Sequence, residues 1–282
     1  MRKFENLAEL NNIGLTLDKA EEREAYISEK QNQPNISYVP YKIYKADRYK
    51  GIWNLNKNSL SCISSRKYAL IQHQDAINQF IETLNNLNIT GNGIVRDFGD
   101  KVIVEFLFSD KLIDDGEKGI RLGIRLINSY DMSHSLSGEL YAYRLVCSNG
   151  MVLGRAIHGV KFNRWHSGRI DIKEQMRNFI QLAVESDTSL QSLINEAMAN
   201  SIEWELTKTI IQRIFRIEKY RKLILEQLEP LITAGKTITR WELYNAVTYV
   251  ASNGKELKQS VIDNLQRKAQ SILAYPINNP LR

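Results

Sequence analysis

Apolar residues recur at two spacings along this chain, and the change from one to the other divides it. Between residues 36 and 151 the period is two. Ile120, Leu122, Ile124 and Leu126 alternate with Arg121, Gly123, Arg125 and Ile127, the pattern of a strand with one buried face. The polar run from Asn128 to Ser137 is rich in turn formers, whose short side chains bond to nearby backbone. Tyr141, Tyr143, Leu145 and Cys147 resume the alternation. Asn149-Gly150, a pair that accepts positive φ, predicts a tight turn closing this hairpin. Its second face carries Arg121, Arg125 and Arg144. Upstream, Ile94–Phe98 and Val102–Phe108 flank Gly99-Asp100 as another hairpin. Val102, Val104, Phe106 and Phe108 would face the core there, with Lys101 and Glu105 in solvent. A strand-like pattern also begins at Ile36. Ala76, Ile77, Phe80, Ile81, Leu84 and Leu87 are spaced by three and four, which predicts one amphipathic helix over 74–87.

Beyond residue 171 the period becomes helical, over 171–187, 189–200 and 202–228. Pro230 and Gly235 mark a turn. Thr239 and Glu242 have capping-box spacing and start a helix that runs to Ser252. A last helix covers 254–273. Ahead of residue 36 the chain is polar, and Asp18–Lys30 favours a solvated helix or an arm. These elements predict an α+β protein: an antiparallel sheet with one packed helix, followed by a helical C-terminal region. The divisions expected are a polar arm over 1–35, a core domain over 36–170 and the helical region over 171–282.

Composition adds a sign to this picture. The 282 residues carry a net charge of +6, which favours an anionic partner without naming one. Cys62 and Cys147 form no CxxC pair and fit small buried hydrophobes in a reducing compartment. The N-terminus has no apolar signal region and no run of about 18 apolar residues occurs, so a cytoplasmic protein without a membrane span is expected. There is no GxxxxGK[ST], GxGxxG, GxSxG, HExxH or CxxC motif, so no cofactor and no metal site is predicted. His158 and His166 lack the further ligands that zinc requires, and Asp114, Asp115 and Glu117 read as a solvated acidic loop.

One segment combines charge with rings. Tyr41, Lys42, Tyr44, Lys45, Arg48, Tyr49, Lys50 and Trp53 interleave, and Arg66-Lys67 follow. Rings that take unpaired bases beside cations that track phosphates are what a single-stranded nucleic-acid surface needs. Tyrosines packing across a sheet would give the same pattern. On the first reading Tyr41, Tyr44, Tyr49 and Trp53 stack bases, while Lys42, Lys45, Arg48, Lys50, Arg66 and Lys67 line the groove. Arg121, Arg125 and Arg144 contact phosphates. Two other functions fit the residues. One is a metal-dependent nuclease or nucleotidyl-transfer enzyme using Asp131 and His134, three apart in the polar turn, and Glu139. The other is a protein-binding host-defence antagonist whose basic face docks an acidic partner.

Three blocks carry a family resemblance: Arg66-Lys67-Tyr68 ahead of a helix; Asn128-Ser129-Tyr130-Asp131 leading to Arg144-Leu145-Val146-Cys147-Ser148-Asn149-Gly150; and Thr239 to Thr248. Over roughly residues 36–255 the chain resembles the phage- and plasmid-encoded family called domain of unknown function 932. Members usually carry a small residue or glycine where this chain has Met132, and often a histidine where Tyr249 stands. The resemblance implies a strand-rich core with one helix, similar in outline to single-strand annealing recombination proteins. It therefore implies a homo-oligomer that binds single-stranded DNA (or RNA) in the recombination or replication of a mobile element.

Overall fold

The computed structural model describes residues 1–30, 41–116, 118–144, 149–152, 160–164, 166, 172–253 and 257–274. In chain order the elements are β1 (Arg2–Phe4), α1 (Leu7–Leu15), β2 (Ala20–Lys30), β3 (Tyr41–Asn54), β4 (Ser59–Ser65), α2 (His73–Asn86), β5 (Gly91–Asp97), β6 (Lys101–Ile113), β7 (Ile120–Ser129), β8 (Leu136–Arg144), β9 (Asn149–Val152) and β10 (Lys161–Arg164). The helical part follows as α3 (Ile172–Val184), α4 (Asp187–Ala199), β11 (Ser201–Ile202), α5 (Trp204–Ile214), α6 (Glu218–Thr233), β12 (Ile238–Thr239), α7 (Arg240–Asn253) and α8 (Gln259–Ala274). This is an α+β protein with a helical C-terminal region. The larger sheet has the order β1-β5-β6-β7-β8-β10, with β9 on β8, and β2-β3-β4 form a separate sheet. The chain divides into two compact units, 1–104 with 126–138 and 162–177, and 105–125 with 139–161 and 178–282.

In the first unit, α1 and α2 bury Leu10, Ile77, Phe80 and Leu84 completely. Gly14 faces α2, where a Cβ would make an ordinary contact with Ile77 at 3.4 Å. Ala20, Ile52, Tyr68 and Tyr130 form a second apolar cluster, with half-buried Cys62 against it. Asp18–Lys30 corrects one expectation. Its Glu, Lys and Ala content favours helix, yet residues 20–30 are a strand paired with β3 along its length. Cross-strand pairing and the burial of Ala20 override a weak local preference. The Gly99 turn between β5 and β6 is as expected, with φ of 78°.

In the second unit α7 is buried on nearly every side, through Trp241, Leu243, Tyr244, Val247 and Val250. Its capping box is formed: the Thr239 amide donates to Glu242 Oε2 at 2.6 Å, and the Glu242 amide donates to Thr239 Oγ1 at 3.2 Å. The single helix expected over 202–228 is two helices. Phe215 leaves helical geometry (φ −112°, ψ 106°) and becomes buried, while Lys268 Nζ donates to the Ile214 carbonyl left open at the end of α5. Pro230 lies within the last turns of α6, which ends in a Schellman motif: the Lys236 amide donates to Leu231 O and that of Gly235, at φ 71°, to Ile232 O.

Residues 102–106 of β6 and 122–129 of β7 are buried on both faces, which overturns the one-sided reading of the alternation. Glu105 and Arg125, both expected on open faces, are 5% and 3% exposed. Asn149-Gly150 are not a turn but the start of β9, paired with Arg144 and Tyr143. Asp115, read as solvated, is buried. The expectations for Glu117, Cys147, His158 and the core of the Arg-Leu-Val-Cys-Ser block lie outside the described residues.

Candidate nucleic-acid interface

The β2-β3-β4 sheet gathers charge and rings because of its register. Tyr49 pairs with Ser65, Gly51 with Ile63 and Trp53 with Leu60, while Lys50, Ile52 and Asn54 alternate with them as buried residues. Outward along this sheet stand Tyr49 and Ile63, 48% and 58% exposed. β4 reaches only as far as Tyr49, so the distal part of β3 pairs with β2 alone: Tyr26 with Lys45, Ile27 with Tyr44 and Ser28 with Ile43. In this two-stranded ribbon neighbouring residues on both faces are open, with Tyr26, Ile27, Ile43 and Tyr44 all exposed. A bulge between Glu24 and Tyr26 offsets the ribbon from the sheet below it.

Of the residues singled out in the sequence, Tyr44, Lys45, Arg48, Tyr49, Arg66 and Lys67 are exposed in the first unit. Arg66 is anchored by its Nε to the Asp47 carbonyl at 2.6 Å. Lys45 hydrogen-bonds Glu24, which raises the lysine's pKa and holds the Glu24 carboxyl below its ordinary value. The Tyr26 hydroxyl donates a second bond to Glu24, at 2.8 Å. Tyr41 and Lys42 belong to β3, paired with Lys30 and Glu29, and their side chains lie outside the described residues. Sequence reading missed Tyr26, Ile27 and Arg23, because a segment read as helix conceals which residues a strand would expose.

Other members of the set hold the fold together. Lys50 is buried, donating to Glu22 and to the Tyr68 carbonyl, each at 2.6 Å. Trp53 is partly buried, and the Arg23 guanidinium lies 4.2 Å from its ring centroid, so one face is already covered. Arg125 donates to Asp263 at 2.6 Å and lies 3.9 Å from Glu105. Arg144 donates to Asp115 at 2.6 Å. Guanidiniums buried against carboxylates balance charge inside the protein and offer no face to a phosphate, so Lys50, Arg125 and Arg144 leave the interface. Arg121 is partly exposed, in the second unit.

The Asn128–Asp131 block is architectural. Asn128 Nδ2 donates to the Ile71 carbonyl and to His73 Nδ1, and His73 Nε2 meets the Gly99 carbonyl at 3.0 Å. The His73 ring stacks on Tyr130 at 3.8 Å, and Tyr130 Oη bonds the Asp18 carbonyl and the His73 amide. Burial pushes the pKa of His73 down to about 4. Ser129 closes the turn through both the amide and the carbonyl of His134. Asp131 accepts from the Ser133 amide and His134 Nδ1 meets Ser133 Oγ, so both engage their own turn. Among the described residues no group of three or more His, Cys, Asp or Glu side chains is placed to hold a metal ion, and no helix is long and apolar enough to cross a membrane.

Fold and surface together define an α+β protein with an exposed basic and aromatic β-ribbon. Its residues 60–273, more than half of the chain, match the family described as Domain of unknown function (DUF932), and the chain belongs to that family. No curated protein and no solved structure matches it. The ribbon strands β2 and β3 precede the matched segment, whereas the blocks at 128–151 and 239–248 fall within it.

Proposed function

We propose that the protein binds single-stranded nucleic acid along β2, β3 and β4. The observation that carries this reading is the exposure of the rings Tyr26, Tyr44 and Tyr49, with Tyr44 on the ribbon face opposite Tyr26, beside the cations Lys45, Arg48, Arg66 and Lys67. Residues 20–67 hold nine Lys or Arg against five Asp or Glu, so four of the chain's six net positive charges belong to this sheet and its flanks. Bases stack on the rings and the cations follow the backbone, which favours unpaired strands over duplex because only unpaired bases expose a π-face. The finer activity in this proposal is annealing of complementary strands by an oligomer, in the recombination or replication of a mobile element. Fluorescence polarisation with a labelled oligonucleotide of about 20 nucleotides tests the reading. Tyr44→Ala and Tyr49→Ala should each weaken binding by about 1–3 kcal/mol, roughly 5- to 150-fold. Absence of binding at low micromolar protein in low salt overturns it.

A further inference from the structure

A second concentration of charge lies in the second unit, where α5 meets α6, and strand binding by the sheet does not use it. Residues 206–225 hold six Lys or Arg against one Asp or Glu, a net charge of +5 in a chain whose total is +6. Helix α5 ends at Ile214 and α6 begins at Glu218, so the elbow between them is Phe215, Arg216 and Ile217. Arg213, Arg216, Lys219 and Lys222 are all exposed. Lys208 pairs with Glu205 at 2.5 Å, but among the described residues none of those four has a carboxylate in ion-pair distance. Lys219 and Lys222 stand one turn apart on the open side of α6, while Ile211, Phe215, Ile224 and Leu228 are buried.

Helix stability does not account for this placement. The first turns of a helix favour acids and disfavour cations, because the N-terminal end of the macrodipole is positive. In α6 the order is reversed after Glu218: Lys219, Arg221 and Lys222 fill the first two turns, Glu226 and Glu229 follow, and the last turn has no basic residue. Across the elbow, Lys268 Nζ donates to the Ile214 carbonyl at 2.8 Å and lies 5.4 Å from the Phe215 ring centroid. Burial, and after it the nearby Arg216 charge, push the pKa of Lys268 down. The fold thus sets cation beside cation, and among the described residues neither has a carboxylate partner. Like charges gathered in this way repel one another, and a bound polyanion relieves the repulsion.

We infer that the α5–α6 elbow binds the phosphate backbone of duplex nucleic acid through Arg213, Arg216, Lys219 and Lys222. A duplex is the dense polyanion that such a cluster fits, with one charge per about 1.7 Å of axis. No open ring stands at the elbow to take an unpaired base: Phe215 is buried, Tyr220 is partly buried and Lys208 lies over the Trp204 ring at 5.8 Å. A helix that lies in a membrane surface presents a broad apolar face, whereas here only Ile217 and Leu206 are open. Protein interfaces have an apolar core and are poor in lysine, which this surface is not. The elbow therefore reads charge and ignores bases. This inference does not rest on strand binding by the β2-β3-β4 sheet.

Fluorescence polarisation of the full chain with a labelled duplex of about 20 base pairs, at several salt concentrations, tests it. If each of the four cations neutralises one phosphate, log affinity should fall against log salt with a slope of about −3.6. The quadruple variant Arg213→Gln, Arg216→Gln, Lys219→Gln, Lys222→Gln changes only exposed side chains. It should keep the wild-type circular dichroism, lose at least about ten-fold in duplex affinity at 0.1 M salt, and lose most of the slope. The double variant Lys219→Gln, Lys222→Gln should lose about half of the slope. Tyr44→Ala and Tyr49→Ala should leave duplex binding unchanged, so failure of strand binding by the sheet and failure of this inference are read on different variants. No duplex binding at low micromolar protein in low salt, or wild-type duplex affinity in the quadruple variant, overturns the inference. An equal loss of single-strand affinity in that variant overturns the assignment to duplex. Tighter binding of polyglutamate, or of phosphatidylcholine vesicles containing phosphatidylserine, overturns it in favour of an acidic protein or a membrane.

Discussion

Burial holds the His73 imidazole neutral, and the two bonds it makes suit that form. Nδ1 accepts from Asn128, which leaves Nε2–H for the Gly99 carbonyl. With a folded pKa of about 4 against an ordinary 6.5, the unfolded chain takes up a proton first as pH falls. The native state therefore keeps its full advantage above pH 6.5 and loses it between pH 6.5 and 4. The loss from this one group is about 3 kcal/mol. Urea unfolding at stepped pH should show that decline in the wild type and a distinctly flatter profile in His73→Gln; parallel profiles would remove the assignment. At this scale the sequence was informative where chemistry is local. It placed the Thr239–Glu242 cap and the Gly99 turn. Met132, in the polar turn, sits at φ 60°, the left-handed region glycine prefers. It was uninformative where charge is compensated over distance. Arg125 and Asp263 are 138 positions apart, and nothing near either reveals that an arginine on an alternating strand is buried.

The buried strands explain their own glycine. A Cβ on Gly123 would lie 2.0 Å from the Phe106 carbonyl oxygen and 2.9 Å from Leu107 Cα, both backbone atoms that cannot swing aside. Gly123→Ala should cost more than about 4 kcal/mol, or abolish soluble expression. Gly51→Ala meets the flexible tip of Leu60 at 3.1 Å and the Arg23 carbonyl oxygen at an ordinary 3.8 Å, and should stay within about 1 kcal/mol of wild type in the same urea experiment. Most elements were legible from period alone, including α2, the β5-β6 hairpin and the helices beyond residue 171. Two failures share a cause. Asp18–Lys30 became strand and 202–228 became two helices because partners remote in sequence, β3 in one case and Lys268 in the other, supplied what local preference did not.

For the molecule as a whole, the concentration of charge in residues 20–67 sets how the proposed strand binding should respond to salt. If Lys45, Arg48, Arg66 and Lys67 each neutralise one phosphate of a single strand, log affinity should fall against log salt with a slope of about −3. The double variant Lys45→Gln, Arg48→Gln should be shallower by about 1.4. A slope near zero in the wild type would show that phosphates play no part. The candidate interface was half legible: the rings and cations of 44–67 were visible in the sequence, whereas the burial of Lys50, Arg125 and Arg144 required their carboxylate partners.

The ribbon beyond Tyr49 has a kinetic consequence. Two strands without a third beside them are only marginally stable in water. Its amides should therefore exchange with solvent through local opening, well before those of the buried segments 102–106 of β6 and 122–129 of β7. A surface of this kind spends part of its binding free energy on its own ordering. Under the proposed strand binding it would in return conform to whatever sequence of bases lies against it, trading tightness per unit area for tolerance.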